Sequence, residues 1–295
     1  MLKNKIIYFI INSFFIIVAL LCINYNTIFN NNFSFPSIIL IVFLFLIVHL
    51  ARFIRMYFIL LENLINPNRF LQLYIKTTFV STLVPFKAGE LYKMYCYSIE
   101  TDNTLTGIVT VMIEKFFDAL VLCLFMAPYS FSQSVFNPLY VILLVFIVLV
   151  LILYFSFEGT YRYLNNFLIR RGGGHKTLAL LKILEGTKKG YDSAKHTIKG
   201  RFVLLLSLSI IAWGVESLLV TLLNSNRLNF DLNVVFQYIS DGFFGITNIL
   251  FSQYASLCAI IFIPLLLIIY SKKYFIVLKN KKGANNGKAN RSLRR

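Results

Sequence analysis

Long apolar runs dominate the pattern of this chain. A transmembrane helix needs about 20 apolar residues, and six segments reach that length. Two other apolar segments are short and interrupted, the first by Pro85 and the second by Asp241, Gly242 and Gly245. Such interruptions favour re-entrant or broken helices over complete crossings. The pattern predicts an all-α polytopic membrane protein with about six transmembrane helices, at roughly 6–23, 37–60, 105–127, 137–157, 202–223 and 253–271, and two re-entrant elements, at 70–86 and 232–250.

The positions of the basic residues support this count. Of the 29 lysines and arginines, 10 lie in residues 158–201 and 9 in residues 271–295. Loops on the cytoplasmic side of a membrane carry an excess of these residues. Six crossings place every basic cluster inside, whereas counting either interrupted segment as a crossing would move one cluster outside. We therefore expect a multi-pass protein of the cytoplasmic (inner) cell membrane with both termini in the cytoplasm.

This topology contains an inverted repeat. A crossing, a re-entrant segment entered from the inside and a second crossing occupy about 37–127, and the same order entered from the outside recurs at about 202–271. Inverted repeats with broken helices are typical of transporters, whose substrate sites lie at the breaks. We expect one integral membrane domain over residues 1–280, including a basic cytoplasmic loop at 158–201 with an amphipathic helix at 176–199 on the inner leaflet. Residues 281–295 are expected to form a disordered basic cytoplasmic tail.

Composition narrows the class of function. Apolar residues are 58% of the 295 and charged residues 14%, against roughly 45–50% and 25% in soluble domains. Soluble enzymes and secreted disulfide scaffolds are thereby excluded as the main interpretation. The net charge of +17 is explained by topology and by attraction to anionic lipids, so no nucleic-acid partner is expected. The four cysteines form no CxxC pair and no cluster with histidine, and we expect neither a metal site nor a cofactor.

Charged residues within the predicted crossings are the candidates for function, because a charge at the bilayer centre costs about 2.5–3.5 kcal/mol on insertion scales. Glu114, Lys115 and Asp118 lie in one crossing, and the two carboxylates are four residues apart on one helix face. Either one carboxylate is protonated or a cation lies against both. The candidate cations are Lys115 itself, Arg52, Arg55, Lys87 and Lys93. An ion-pair cluster that only fastens helices together is the alternative to a polar substrate path.

The first crossings of the two repeat units carry further polar residues. His49 and Arg52 lie in one, and Glu216 lies beside Trp213 in the other. Glu216 is midway along its segment, so we expect it to be paired or protonated. His49 is more simply explained as a packing residue, and Arg52 is explained equally well by a side chain that extends to the membrane edge.

The first re-entrant segment has the character of an anion site. It reads Pro85, Lys87, Gly89, Glu90 and then Lys93. Pro85 ends a helix, and a new helix can begin at Gly89. The N-terminus of a helix aimed at a cavity favours an anion, and the lysines add positive charge. A lipid phosphate is a plausible ligand.

These two motifs together resemble the membrane domain of the lysylphosphatidylglycerol synthase/flippase family. That family shows a P-x-[RK]-x-G-E element and then an E-[RK]-x-x-D element in the next crossing. The first corresponds here to 85–90 and the second to 114–118. The family's second hairpin carries P-G-G-x-G-x-x-E, whereas this chain keeps only Gly242 and Gly245, with Asn248 in place of the glutamate. The resemblance covers about residues 5–275 and implies a flippase-like protein without the soluble aminoacyltransferase domain of the family's best-known members.

Three functions remain open at this point. The leading prediction is a lipid translocase that moves an anionic, aminoacylated or glycosylated lipid between leaflets, with a phospholipid or a polyprenyl-linked glycolipid as its partner. The altered second hairpin favours an alternative, a non-transporting accessory subunit of an envelope glycolipid or glycosyltransferase pathway. An integral-membrane lipid transferase is the third, but the sequence shows no catalytic motif and we expect no enzyme activity. The substrate-path residues predicted are Arg52, Pro85, Lys87, Gly89, Glu90, Lys93, Glu114, Lys115, Asp118, Glu216, Gly242, Gly245 and Asn248.

Overall fold

The fold is built from helices. The computed structural model describes residues 14, 35–63, 65–83, 88–132, 138–170, 174–225, 231–244 and 250–269. Over these ranges the chain forms nine α-helices and a single turn of 3-10 helix at Leu61–Asn63, with no strand. The protein is an all-α polytopic membrane protein, as predicted. Its helices are α1 (Phe35–Ile59), α2 (Pro67–Leu83), α3 (Ala88–Glu100), α4 (Thr104–Ser132), α5 (Pro138–Arg170), α6 (His175–Ile198), α7 (Phe202–Ser225), α8 (Leu232–Phe244) and α9 (Leu250–Ile269).

Five of the six predicted crossings correspond to long helices. Four of them, α1, α5, α7 and α9, are long and apolar enough to cross a bilayer by length and composition. The fifth, α4, has 29 residues and carries Glu114, Lys115 and Asp118 near its middle. The sixth predicted crossing, at 6–23, and the predicted tail at 281–295 lie outside the described residues.

The first crossings of the two predicted repeat units pack against each other in opposite directions. Two contacts join α1 to α7, Arg52 with Glu216 and Arg55 with Ser209, and the Phe58 carbonyl accepts a hydrogen bond from Arg201, the residue that precedes α7. As residue numbers rise along α1, those of the partners on α7 fall, so the two helices are antiparallel. This is the relative orientation that an inverted repeat requires.

Helices α2 and α3 form a hairpin too short to cross the membrane. Contacts pair Ser81 with Gly89 near the closed end, Lys76 with Tyr92 in the middle, and Arg69 with Glu100 at the open end. With 17 and 13 residues, the arms are about 25 and 20 Å long at 1.5 Å per residue, against a hydrocarbon core of about 30 Å. The open ends of the two arms lie together, in agreement with the re-entrant element that the sequence predicts here.

The closed end of the hairpin depends on a glycine. Gly89 is buried against the Ser81 backbone, and a Cβ atom at this position would overlap the Ser81 Cα. The close approach of α2 and α3 therefore requires the absence of a side chain. Gly107 of α4 serves a similar purpose, because a Cβ there would overlap the Ser98 hydroxyl and the Met94 carbonyl of α3.

The second predicted re-entrant segment, 232–250, is not one continuous helix in the structure. Helix α8 ends at Phe244, and α9 begins at Leu250. Of the residues predicted here, Gly242 lies near the end of α8, whereas Gly245 and Asn248 fall outside the described residues. Helices α8 and α9 flank residues 245–249, and α9 corresponds to the last predicted crossing.

The basic loop predicted at 158–201 is largely helical. Helix α5 continues from the apolar segment to Arg170, and its 33 residues give a length of about 50 Å, well beyond the hydrocarbon core. Helix α6 covers the predicted amphipathic segment, and Gly190 packs over Leu105 and Val109 of α4. Lys195 donates to Glu158 at 2.6 Å, so α6 is attached to α5 as well as to α4.

Candidate functional site

A fully buried arginine organises the charged residues of the interior. The Arg55 side chain is 0% exposed. Its guanidinium donates to Asp118 at 2.6 Å, to Glu114 at 3.2 Å and to the Ser209 hydroxyl at 2.7 Å. One cation on α1 therefore neutralises two carboxylates that lie one turn apart on α4 and also contacts α7.

Two lysines complete the pairing around α4. Lys93 of α3 donates to the second oxygen of Glu114 at 2.5 Å, and both side chains are buried. Lys115 lies 2.7 Å from Glu90 of α3 and 4.0 Å from Asp118. The re-entrant hairpin thus contributes one cation and one carboxylate, and its ion pairs join it to the middle of α4.

A tryptophan connects this set to a second ion pair. Asp118 accepts a hydrogen bond from the Trp213 indole nitrogen at 2.9 Å. The Arg52 guanidinium of α1 lies 5.2 Å from the centre of the Trp213 ring. It also forms an ion pair with Glu216, which lies on α7 together with Trp213. Glu216 also accepts a hydrogen bond from the Tyr238 hydroxyl of α8 at 3.1 Å. These hydrogen bonds and ion pairs connect the α2–α3 hairpin, through α4 and α1, to α7 and α8.

We call the eight ionisable residues that these salt bridges join the charged cluster. It has four cations and four carboxylates, so its formal charge is zero, and each member has at least one partner of opposite sign. Pairing is required at this depth because a buried ion without a partner costs several kcal/mol. The members are Arg52, Arg55, Lys93, Lys115, Glu90, Glu114, Asp118 and Glu216.

Access to the charged cluster is uneven. The Arg55 side chain is wholly enclosed, whereas 19% of the Arg52 side chain and 44% of the Lys115 side chain are exposed. Arg52 and Lys115 are therefore the cations that a molecule entering from the surface would meet first.

His49 lies beside the charged cluster and is buried. Its Nδ1 is 3.2 Å from the Tyr74 hydroxyl of α2, and its Nε2 is 3.3 Å from the Tyr254 hydroxyl of α9. Its ring also packs against Phe45 and Phe262, with centroids 4.3 and 4.8 Å away. A packing role alone does not describe it, because both ring nitrogens have polar partners on different helices.

Comparison with known proteins identifies the family of this chain. Residues 8–239 match the family model for the lysylphosphatidylglycerol synthase transmembrane region. The chain belongs to this family. It is also 31% identical, over 171 residues, to UPF0104 membrane protein MJ1078 of Methanocaldococcus jannaschii, an alignment that covers 55% of this chain and 67% of the relative. No solved structure matches the chain.

The resemblance inferred from the two motifs is thereby confirmed, and the structure shows where their residues lie. Glu90 of the first motif pairs with Lys115 of the second. Gly89 serves the packing of α2 against α3, so its place in the motif has a structural explanation. Pro85 and Lys87 lie outside the described residues.

Seven of the predicted residues come together in the charged cluster, but the central cation was not selected. The sequence gives Arg55 only as one of several candidate cations. Its spacing gave a usable signal, since His49, Arg52 and Arg55 recur every three residues and so lie along one side of α1. Ser209, Tyr238 and Tyr254 had no comparable signal, because hydroxyl-bearing residues are common in apolar helices. Among the described residues, no group of three or more His, Cys, Asp or Glu side chains is placed to hold a metal ion.

Proposed function

We propose that this protein is a flippase-like lipid translocase of the cytoplasmic membrane, with both termini in the cytoplasm, that moves an anionic, aminoacylated or glycosylated lipid between leaflets. One observation carries the proposal. A charge-balanced cluster joins the re-entrant hairpin to the antiparallel first crossings of both repeat units, in a chain whose family is defined by a lipid synthase's transmembrane region. Ionisable groups at this depth are costly, and in membrane proteins they commonly mark substrate paths.

Ion pairs of this kind suit a lipid head group because they can exchange partners. A lipid phosphate entering beside Arg52 would replace Glu216 as its partner, and a cationic amine would replace Lys115 beside Glu90. Each exchange forms one ion pair and breaks another. The displaced Lys115 keeps Asp118, 4.0 Å away, whereas the displaced Glu216 carboxylate has to be neutralised, because an unpaired buried ion costs several kcal/mol. The acyl chains would remain in the bilayer. This mechanism assigns no chemical reaction to the chain.

A lipid-exchange measurement in liposomes tests the proposal. Purified protein is reconstituted with a head-group-labelled anionic phospholipid or a labelled polyprenyl-linked sugar, and an impermeant quencher reports the lipid in the outer leaflet. The expected result is protein-dependent exchange of one of the two lipids, reduced at least tenfold in Arg52→Gln. The matched control is Lys189→Gln, which removes an exposed cation of α6 and should leave exchange unchanged.

The complete pairing of the charged cluster also favours a second candidate. A closed set of ion pairs is what a cluster that only fastens helices would show, as in an accessory subunit of an envelope glycolipid or glycosyltransferase pathway. Absence of exchange of either lipid by folded wild-type protein, together with a stoichiometric partner on mild purification, would favour that function. Turnover of the labelled head group by purified protein would instead indicate a transferase.

A further inference from the structure

Helices α5 and α6 meet in an aromatic contact at the edge of the predicted membrane region. The Phe157 and Tyr191 rings stack with their centroids 4.4 Å apart. The crossing predicted in α5 ends at residue 157, and Glu158 is the first charged residue of this helix. Gly190 of α6 packs over Leu105, where the crossing predicted in α4 begins. Both neighbours of α6 therefore place this contact at the level of the lipid head groups, where aromatic side chains are common.

An open cleft beside the aromatic contact carries two cations without an ion-pair partner. Its volume is about 180 Å³. Arg162 of α5 and Lys188 of α6 line it, and neither forms an ion pair with a carboxylate of the described residues. The Lys188 ammonium lies instead 4.6 Å from the centre of the Tyr161 ring. Glu158 also lines the cleft but pairs with Lys195 at 2.6 Å, so Arg162 and Lys188 remain available to an anion.

An apolar groove continues from the cleft along α5 towards the membrane. Two of its side chains, Ile152 and Phe155, are 60% and 78% exposed. Steps of three or four residues lead from Ile152 through Phe155 and Glu158 to Arg162, so the groove and Arg162 lie on one side of the helix. An acyl chain in the groove would therefore bring its head group to Arg162. The groove is lined by Val148, Leu151, Ile152, Phe155 and Ser156.

We propose that the cleft between α5 and α6 binds a phospholipid whose head group carries free hydroxyls. Arg162 and Lys188 donate to the phosphate, in charge-assisted hydrogen bonds that are stronger than neutral ones. Asp192 lines the same cleft, has no ion pair among the described residues, and accepts hydrogen bonds from the head-group hydroxyls. One acyl chain lies in the groove on α5. Basic pockets between membrane helices are known to hold anionic lipid head groups in this way.

A lipid in this cleft joins two helices. Arg162 belongs to α5, whereas Lys188 and Asp192 belong to α6, so one head group contacts both. Bound lipid should therefore slow hydrogen exchange in α6. None of the cleft residues belongs to the charged cluster, so binding here does not depend on translocation. Protein that binds this lipid but exchanges neither labelled lipid would keep the site and reject the translocase with those lipids.

Native mass spectrometry of purified protein in detergent measures the binding. Phosphatidylglycerol, which has a small hydroxylated head group, is titrated into the wild type and into the double variant Arg162→Gln with Lys188→Gln. The control, Lys182→Gln with Lys189→Gln, also removes two cations but lies outside the cleft. The affinity is expected to fall by about tenfold or more in the cleft variant and by less than about twofold in the control. Equal affinities in the two variants would overturn the proposal, because they would show only general attraction of the lipid to basic residues.

Two further ligands test the head group and the acyl chain. Phosphatidylmethanol has the same phosphodiester without hydroxyls, so the wild type should bind it more weakly than phosphatidylglycerol, and Asp192→Ala should remove this preference. Wild-type protein without the preference would reject the assignment of the hydroxyls. Glycerol 3-phosphate has no acyl chain and should not displace the lipid at equal concentration. Displacement would identify the cleft as a site for soluble phosphate esters and would overturn the lipid site.

A photoreactive lipid locates the site in the wild type alone, which covers the case of a cleft variant that does not fold. Phosphatidylglycerol with a diazirine on its acyl chain should label α5 within residues 148–156. Unlabelled phosphatidylglycerol should compete with this labelling better than phosphatidylcholine does. Labelling confined to other helices, or equal competition by both lipids, would contradict the proposal.

Discussion

Replacing Arg55 by methionine tests whether one arginine neutralises the interior of this protein. The change removes a fully buried cation and leaves Asp118 without its closest ionic partner, 2.6 Å away, while Glu114 keeps Lys93 at 2.5 Å. Breaking a buried ion pair from one side costs about 3–5 kcal/mol. At roughly 2–4 °C per kcal/mol for a chain of 150–250 residues, the midpoint of thermal unfolding in detergent should fall by on the order of 10 °C.

The double variant Arg55→Met with Asp118→Asn gives the decisive comparison. It removes one charge of each sign, so the Glu114–Lys93 and Lys115–Glu90 pairs stay intact and the remaining cluster is neutral. We expect it to unfold at a higher temperature than Arg55→Met alone, because the cost of the single variant is largely an uncompensated charge. Glu185→Gln removes an exposed carboxylate paired with Lys189 and serves as the control, with no measurable change expected because exposed ion pairs contribute little to stability. A fall of less than about 1 kcal/mol in Arg55→Met, or a double variant less stable than the single one, would refute this reasoning.

Three further predictions concern the packing of α2 against α3, the attachment of α6 and the entry of substrate. Gly89→Ala should lower the thermal midpoint, because the new Cβ meets the Ser81 backbone. The control Gly186→Ala on α6 places its Cβ in open space and should leave the free energy of unfolding unchanged or raise it by up to about 1 kcal/mol. Equal losses of stability in both variants would contradict the packing role of Gly89. Lys195→Gln should increase hydrogen exchange in α6 but not in α3, because it removes the contact with Glu158. That hydrogen bond raises the pKa of Lys195, so the contact is complete below the ordinary lysine pKa and is lost as pH rises through the raised value. Equal α6 exchange rates in the wild type and in Lys195→Gln at the same neutral pH would argue against the contact. Lys115→Gln should slow lipid exchange with little loss of stability, since the lysine is 44% exposed, and an unchanged exchange rate would remove Lys115 from the substrate path.

Sequence alone established the membrane class, the positions of the crossings that the structure describes and the two motifs of the family. These features depend on local properties, namely the length of an apolar run, the position of a proline and the distribution of lysine and arginine. The inverted repeat predicted from topology also implies the antiparallel relation of α1 and α7. The length of α5 was underestimated, because a helix does not have to end where its apolar face ends.

Tertiary structure alone decided which cation meets which carboxylate. Arg55 reaches Glu114 across 59 residues of sequence, and Arg52 reaches Glu216 across 164. Such pairs depend on the rotation and register of packed helices, which apolar periodicity leaves undetermined because lipid-facing and buried positions are both apolar. The same holds for His49, whose two tyrosine partners lie on α2 and α9. Local chemistry thus identified the charged residues, while helix packing determined their pairing.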